Sequence, residues 1–176
     1  FQVNCPGCFM YGIPESIEIY NKYKSEGVSV LGMATAFEDF DKNTLENLQL
    51  LLETGEVIGE TKKMLQADKI SYKIPYPVAM DSLVKQSGEV TKEKMDSLIK
   101  NQIPNFDAQP EDYKNQIYDR VKDYFMSKEF SAETFEMYSL QGTPSSMLID
   151  RNGILRDVSF GQNGLLESKI QKLLNE

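Results

Sequence analysis

The chain opens with FQVNCPGCFMYGIP, residues 1–14, and its only two cysteines, Cys5 and Cys8, lie in this stretch. A Cys-x-x-Cys pair on the first turn of a helix places both sulfur atoms on one side, close enough to form a disulfide. Free N–H groups and the helix dipole at that end stabilise a thiolate. The pattern predicts a redox pair in which Cys5, the more exposed residue, is the nucleophile and Cys8 resolves the mixed disulfide.

Three other interpretations of the cysteines compete with a redox pair. A structural zinc site needs two further Cys or His ligands, and the chain has none. A structural disulfide between residues three apart closes almost no loop and would stabilise the fold little. Two unrelated free thiols are the third interpretation. The spacing alone leaves all three open, because Cys-x-x-Cys is only moderately specific. No metal and no cofactor is predicted.

Composition and charge argue against several function classes. The 176 residues fit one domain that carries an inserted segment. With 27 acidic against 19 basic residues, the net charge of −8 disfavours nucleic acid or an anionic membrane as a partner. The absence of histidine excludes Ser-His-Asp and Cys-His catalysis. The longest apolar run, residues 28–37, is shorter than the roughly 20 residues that span a bilayer, so no membrane insertion is expected.

Residues 1–4, FQVN, are interpreted as the end of a strand whose beginning lies upstream of Phe1. The chain has no initiator methionine and no signal peptide. The compartment therefore cannot be deduced from the first residues, and the bacterial cytoplasm and periplasm are both compatible with them.

The periodicity of apolar residues predicts an α/β fold. Short apolar or alternating runs predict strands at 28–35, 76–81, 145–150 and 154–161, the last two joined by an RNG turn. Helical spacing predicts helices at 6–27, 43–55, 56–66, 91–100, 109–125 and 165–174. Pro14 should kink the first helix, and Asn43 should cap the second. This order predicts a mixed sheet with helices on both faces.

A polar segment, residues 82–129, separates two predicted core strands. Its helix-periodic sequence predicts at least two helices within a single domain that comprises residues 1–176. This insertion could form a lid, a partner surface or a dimer contact.

The stretch QGTPSSMLIDRNGILRDVSFG, residues 141–161, combined with CPGC, resembles the thioredoxin superfamily, in particular its redoxin, thiol-specific antioxidant and TlpA-like branch. The resemblance covers most of the chain outside the insertion. It implies that the Thr143–Pro144 bond is cis, faces the cysteines and shapes a substrate groove. A substrate segment could pair there with the Thr143 backbone as an extra strand. In this family a carboxylate often assists proton transfer, which makes Glu38 the candidate proton acceptor, ahead of Asp39.

The chain departs from the family pattern at two positions. Asn4 stands where many members have tryptophan before the first cysteine. Pro14 follows Cys8 by six residues, whereas thioredoxins place this proline five residues after the second cysteine. The geometry of the predicted kink could therefore differ.

The favoured function is thiol–disulfide exchange with a protein dithiol or disulfide, which is either substrate or electron donor. A thiol-dependent peroxidase is the alternative. Peroxiredoxins carry threonine three residues before their reactive cysteine, and Gln2 stands there instead. A redox-inactive binding module is the third hypothesis, and the intact CPGC argues against it. The sequence specifies neither the direction of electron flow nor the oligomeric state.

Overall fold

The structure, a computed structural model, describes residues 1–85, 90–127, 130–162 and 164–176. Its α-helices are α1 (Ile13–Tyr23), α2 (Leu45–Thr54), α3 (Gly59–Leu65), α4 (Lys92–Gln102), α5 (Glu111–Ser127), α6 (Glu133–Met137) and α7 (Leu166–Leu174). Its strands are β1 (Gly32–Ala34), β2 (Val78–Met80), β3 (Leu83–Lys85), β4 (Phe130–Ala132), β5 (Ser145–Ile149) and β6 (Leu155–Phe160). The predicted α/β class is confirmed.

Parallel and antiparallel strands both occur, as expected for a mixed fold, but the described strands pair two by two. β1 is parallel to β2, whereas β3 with β4 and β5 with β6 are antiparallel. The strand predicted at 28–35 is shorter, because only Gly32–Ala34 pairs with β2. A cavity of about 860 Å³, lined by residues 28–33 and by β5, separates these two segments. Among the described strands, none pairs with the backbone of residues 28–31.

The strand end predicted at residues 1–4 is reduced to a single paired residue in the structure. Only Phe1 pairs with the neighbourhood of β1: its nitrogen donates to Met33 O at 2.8 Å, and its carbonyl accepts from Thr35 N at 2.8 Å. The chain then turns at Val3 and Asn4. The Asn4 N–H bonds to the Asn43 side chain instead of to a strand.

The helix that carries the cysteines begins at Pro6 and contains a π-helical segment, Cys8–Gly12, directly before α1. In a regular α-helix, Pro14 could not donate a hydrogen bond to the carbonyl of Met10, four residues earlier, and its ring would clash with that carbonyl. A π turn relieves this conflict. The Ile13 N–H bonds to Cys8 O, so the Phe9 carbonyl loses its usual donor. The Tyr72 hydroxyl donates to that carbonyl at 2.9 Å. The predicted kink at Pro14 thus takes the form of a π turn.

Two apolar clusters form the core around this helix. One contains Cys8, Phe9 and Ile13 with residues of α2 and β1, namely Leu48, Leu51 and Ala34. The other joins Ile19 and Tyr23 of α1 to Ile170 of α7. Burial of both sides of one helix fixes the cysteine turn to the rest of the fold.

The predicted insertion is closed by the antiparallel pairing of β3 with β4, in which Lys85 pairs with Phe130. Residues 86–89, 128 and 129 of that segment lie outside the described residues. The prediction of at least two helices is confirmed by α4 and α5. Ile99 of α4, Phe125 of α5 and Phe106 of the segment between them are buried. In the described ranges, no helix is long and apolar enough to span a membrane.

Candidate functional site

Cys5 and Cys8 are both free thiols, and their Sγ atoms lie 2.8 Å apart. The Cys8 N–H bonds to Cys5 O at 3.0 Å, which closes the first turn of the helix. Cys8 is fully buried beneath this turn, whereas Cys5 is partly exposed. The geometry brings the two predicted redox residues together and leaves only one of them open to solvent.

The environments of the two sulfurs move their pKa values in opposite directions. A hydrogen bond from the Cys8 thiol lowers the pKa of Cys5 to about 6; partial burial acts against this, and the Thr143 side chain acts with it. Burial raises the pKa of Cys8, and the hydrogen bond to Cys5 raises it further. Near neutral pH the pair therefore consists of a Cys5 thiolate and a Cys8 thiol.

The Thr143–Pro144 peptide bond is cis and lies directly against the cysteine turn. Cys5 Sγ is 3.5 Å from the Thr143 carbonyl oxygen, to which its thiol donates when protonated. Pro144 packs on the same helix one turn further along, where Gly12 leaves it room. The predicted substrate-groove residues thus lie beside the exposed cysteine.

Gln2 is part of the site, although in the sequence it is notable only because it stands where peroxiredoxins have threonine. Its side chain is 2% exposed and lies between the Thr143 loop and the loop that contains Glu38. Thr143 Oγ1 donates to Gln2 Oε1 at 3.1 Å, and Gln2 Nε2 donates to Glu38 O at 3.4 Å. Its position three residues before Cys5 was the only signal in the sequence.

Glu38 reaches the site through its backbone. Glu38 is exposed. Its backbone carbonyl accepts hydrogen bonds from Gln2 Nε2 and from Asn43 Nδ2, the latter at 3.0 Å. Asp39 is also exposed and accepts from Asn4 Nδ2 at 2.7 Å. The role of Glu38 as a proton acceptor stays a prediction.

Asn4, immediately before Cys5, is held by three hydrogen bonds. Its N–H donates to Asn43 Oδ1 at 2.9 Å, its amide donates to Asp39, and its Oδ1 accepts from Glu60 N at 2.7 Å. Asn43 therefore serves this network, and Thr44 caps α2 in its place. The network fixes the backbone that leads into the cysteine turn.

Asp81 is a buried acid that the sequence did not indicate. It is 5% exposed and accepts from Thr35 Oγ1 at 2.8 Å and from the backbone N–H groups of Thr134 and Phe135 at 2.9 and 3.1 Å. Burial raises the pKa of Asp81, but these hydrogen bonds outweigh it and hold that pKa below its usual range. Asp81 thus joins the end of β2 to the start of α6.

No group of three Cys, Asp or Glu side chains in the described ranges could hold a metal ion.

Solved structures resemble this arrangement over the whole chain. A thiol-disulfide isomerase from Corynebacterium glutamicum is 25% identical, with a TM-score of 0.58; the match covers 100% of this chain and 77% of that one. A thioredoxin-like superfamily protein matches with the same identity, coverage and TM-score. The chain has a thioredoxin-like fold. The thioredoxin-like fold agrees with the resemblance seen in the sequence, although no protein-family model and no curated protein matches the chain.

Proposed function

We propose that the chain is a thiol–disulfide oxidoreductase that exchanges disulfides with a protein substrate through Cys5 and Cys8. The observation that carries the proposal is the asymmetry of the pair: an accessible Cys5 of lowered pKa lies 2.8 Å from a buried Cys8 of raised pKa. The solved thiol-disulfide isomerase of similar fold supports the same general activity.

In the reducing direction, the Cys5 thiolate attacks one sulfur of a substrate disulfide. A mixed disulfide forms, and the other substrate sulfur leaves as a thiolate that takes up a proton. Cys8 then loses its proton and attacks Cys5 Sγ, which forms the Cys5–Cys8 disulfide and releases the second substrate thiol. Two electrons pass from the pair to the substrate, and the reverse sequence oxidises a substrate dithiol.

The remaining residues have supporting roles in this scheme. Thr143 and Pro144 form the wall against which a substrate segment lies, and the Thr143 backbone offers it strand-like pairing. Glu38 is our candidate acceptor for the Cys8 proton, so Glu38→Gln should slow release of the mixed disulfide. The insertion, residues 82–129, selects the protein partner within a single domain.

The proposal is tested with two cysteine variants and two substrates. Cys5→Ser should abolish reduction of a protein disulfide such as insulin, because the attacking thiolate is gone. Cys8→Ser should accumulate mixed disulfides, since attack continues without resolution. Peroxide consumption, assayed with the same dithiol donor, should be slow. Rapid Cys5-dependent peroxide consumption with negligible disulfide reduction would establish the peroxidase alternative instead.

A further inference from the structure

The Thr143 hydroxyl has one hydrogen and two neighbouring groups that can accept it. In the structure it donates to Gln2 Oε1 at 3.1 Å. The Cys5 sulfur lies beside the same residue, 3.5 Å from the Thr143 carbonyl, and the Thr143 side chain lowers the pKa of Cys5. A hydroxyl cannot donate one hydrogen to both acceptors at full strength.

The orientation of the Gln2 amide follows from its other neighbour. The Glu38 carbonyl, 3.4 Å from the Gln2 amide, can only accept a hydrogen bond, so the amide nitrogen must face it. Gln2 Oε1 is then left facing Thr143. Because Gln2 is 2% exposed, water cannot readily replace a donor that this oxygen loses.

We propose that Gln2 is a positioning residue that holds the Thr143 hydroxyl hydrogen away from Cys5 while Cys5 is a thiol, and yields it when Cys5 becomes a thiolate. The inference rests on the proposed role of Cys5 as the nucleophile. In the thiol form, Cys5 donates to the Thr143 carbonyl and needs no donor. In the thiolate form, the sulfur is the stronger acceptor, and the hydroxyl turns toward it at the cost of the Gln2 bond.

This competition predicts the sign of two substitutions. Gln2→Met removes the competing acceptor, so the hydroxyl is free for the thiolate and the pKa of Cys5 should fall, by about half a pH unit for one partly lost hydrogen bond. Thr143→Val removes the donor, so the pKa of Cys5 should rise. In the Thr143→Val background, Gln2→Met should have no further effect, because no hydroxyl remains to be shared.

The measurement is the iodoacetamide labelling rate of Cys5 as a function of pH, which does not depend on disulfide-exchange turnover. The titratable groups that act on Cys5 are Cys8 and the amino group of Phe1, and all variants retain both. Thr61→Val is the matched control: Thr61 is fully buried and donates to Val3 O at 3.0 Å, next to Gln2 but away from Thr143. It should lower the unfolding temperature and leave the pKa of Cys5 unchanged.

A second measurement needs no substitution at Gln2. The ¹³Cδ resonance of Gln2, followed by NMR in the unmodified protein, should titrate with the pKa of Cys5 and should stop doing so in Thr143→Val. A Gln2 resonance that ignores Cys5 ionisation, an unchanged or raised Cys5 pKa in Gln2→Met, or a Gln2→Met shift that persists in Thr143→Val would each overturn the proposal. If Cys5 titrates as expected here but Cys5→Ser leaves disulfide exchange intact, the proposed function fails, and with it the role of Gln2 in that function; the sharing of the Thr143 hydroxyl would still be established by the titration.

Discussion

Gly12 and Pro144 approach so closely that a Cβ atom on residue 12 would lie 2.5 Å from Pro144 Cβ. Contact at this distance would push the cis-proline loop away from the cysteine helix. Gly12→Ala should therefore destabilise the protein by about 1–3 kcal/mol, the usual cost of overpacking, and should slow disulfide exchange. Thermal unfolding and insulin reduction would measure the two effects.

Gly7→Ala is the matched control for the unfolding measurement. Its Cβ would meet Pro144 Cδ at 3.8 Å, an ordinary van der Waals distance. Its backbone φ of −61° also suits alanine. Equal loss of stability in the two variants would contradict the role assigned to the Gly12 contact.

Iodoacetamide should label Cys5 with a half-maximal rate near pH 6, since the pKa of Cys5 is about 6. Cys8 should react far more slowly at pH 7, because it is buried and its pKa is raised. Mass spectrometry of the labelled peptide distinguishes the two sites. In denaturant both thiols should titrate near the free value of about 8.5. Faster labelling of Cys8 in the native protein would reverse the assignment of the nucleophile.

Asp81→Asn should lower the free energy of unfolding at pH 7 by about 1–3 kcal/mol, because an amide cannot accept all of the hydrogen bonds that Asp81 accepts. The folded-state pKa of Asp81 is lowered, so its ionisation stabilises the fold above the unfolded pKa of about 3.9. This stabilisation is lost as the pH falls through the folded pKa. Urea denaturation of both proteins should therefore show a constant difference from pH 7 to 5 that shrinks below pH 4. A difference that is independent of pH would mean that the carboxylate charge is not what matters.

Replacement of residues 86–129 by an Asn-Gly turn should yield a folded protein. Lys85 and Phe130 are paired neighbours, and a two-residue loop suits such a hairpin. The removed helices α4 and α5 pack mainly on each other, so the core around Cys8 should be intact. The shortened chain should reduce a small disulfide at a rate within about twofold of the full chain but should discriminate among protein disulfides differently.

The same assay with Cys5→Ser in the shortened chain gives the background rate. A shortened chain that folds but no longer reacts with small disulfides would show that the insertion takes part in the thiol chemistry. The partner-selection role proposed for residues 82–129 would then be wrong.

The sequence predicted the elements whose signals are local. The cysteine spacing, the turn before β6 and the apolar periodicity of α2, α5 and α7 each depend on neighbours along the chain, and the structure has these elements close to their predicted positions. The features that the sequence could not predict depend on contacts between residues that are far apart in the chain. Asn43 was expected to cap α2 because Asn favours that position. It instead binds Asn4, a residue 39 positions away, and leaves the cap to Thr44.

The candidate site divides in the same way. Cys5 and Cys8 follow from a motif, whereas Thr143 and Pro144 required the resemblance to a family. Gln2 and Asp81 carry no motif, and their importance comes only from burial beside groups that lie 36 to 141 positions away. For Glu38, the contacts to Gln2 and Asn43 are made by the backbone carbonyl, and the role of its carboxylate as a proton acceptor stays a prediction.

The π turn at Cys8–Gly12 accounts for the spacing at which the chain departs from thioredoxins. A π turn holds one residue more than an α turn, and Pro14 follows Cys8 by six residues where that family has five. The extra residue is accommodated on the outer surface, where Met10 and Tyr11 are exposed. In evolutionary terms, the segment has the form of a single-residue insertion that the helix absorbed without displacing the buried Cys8 on one side or the buried Ile13 on the other.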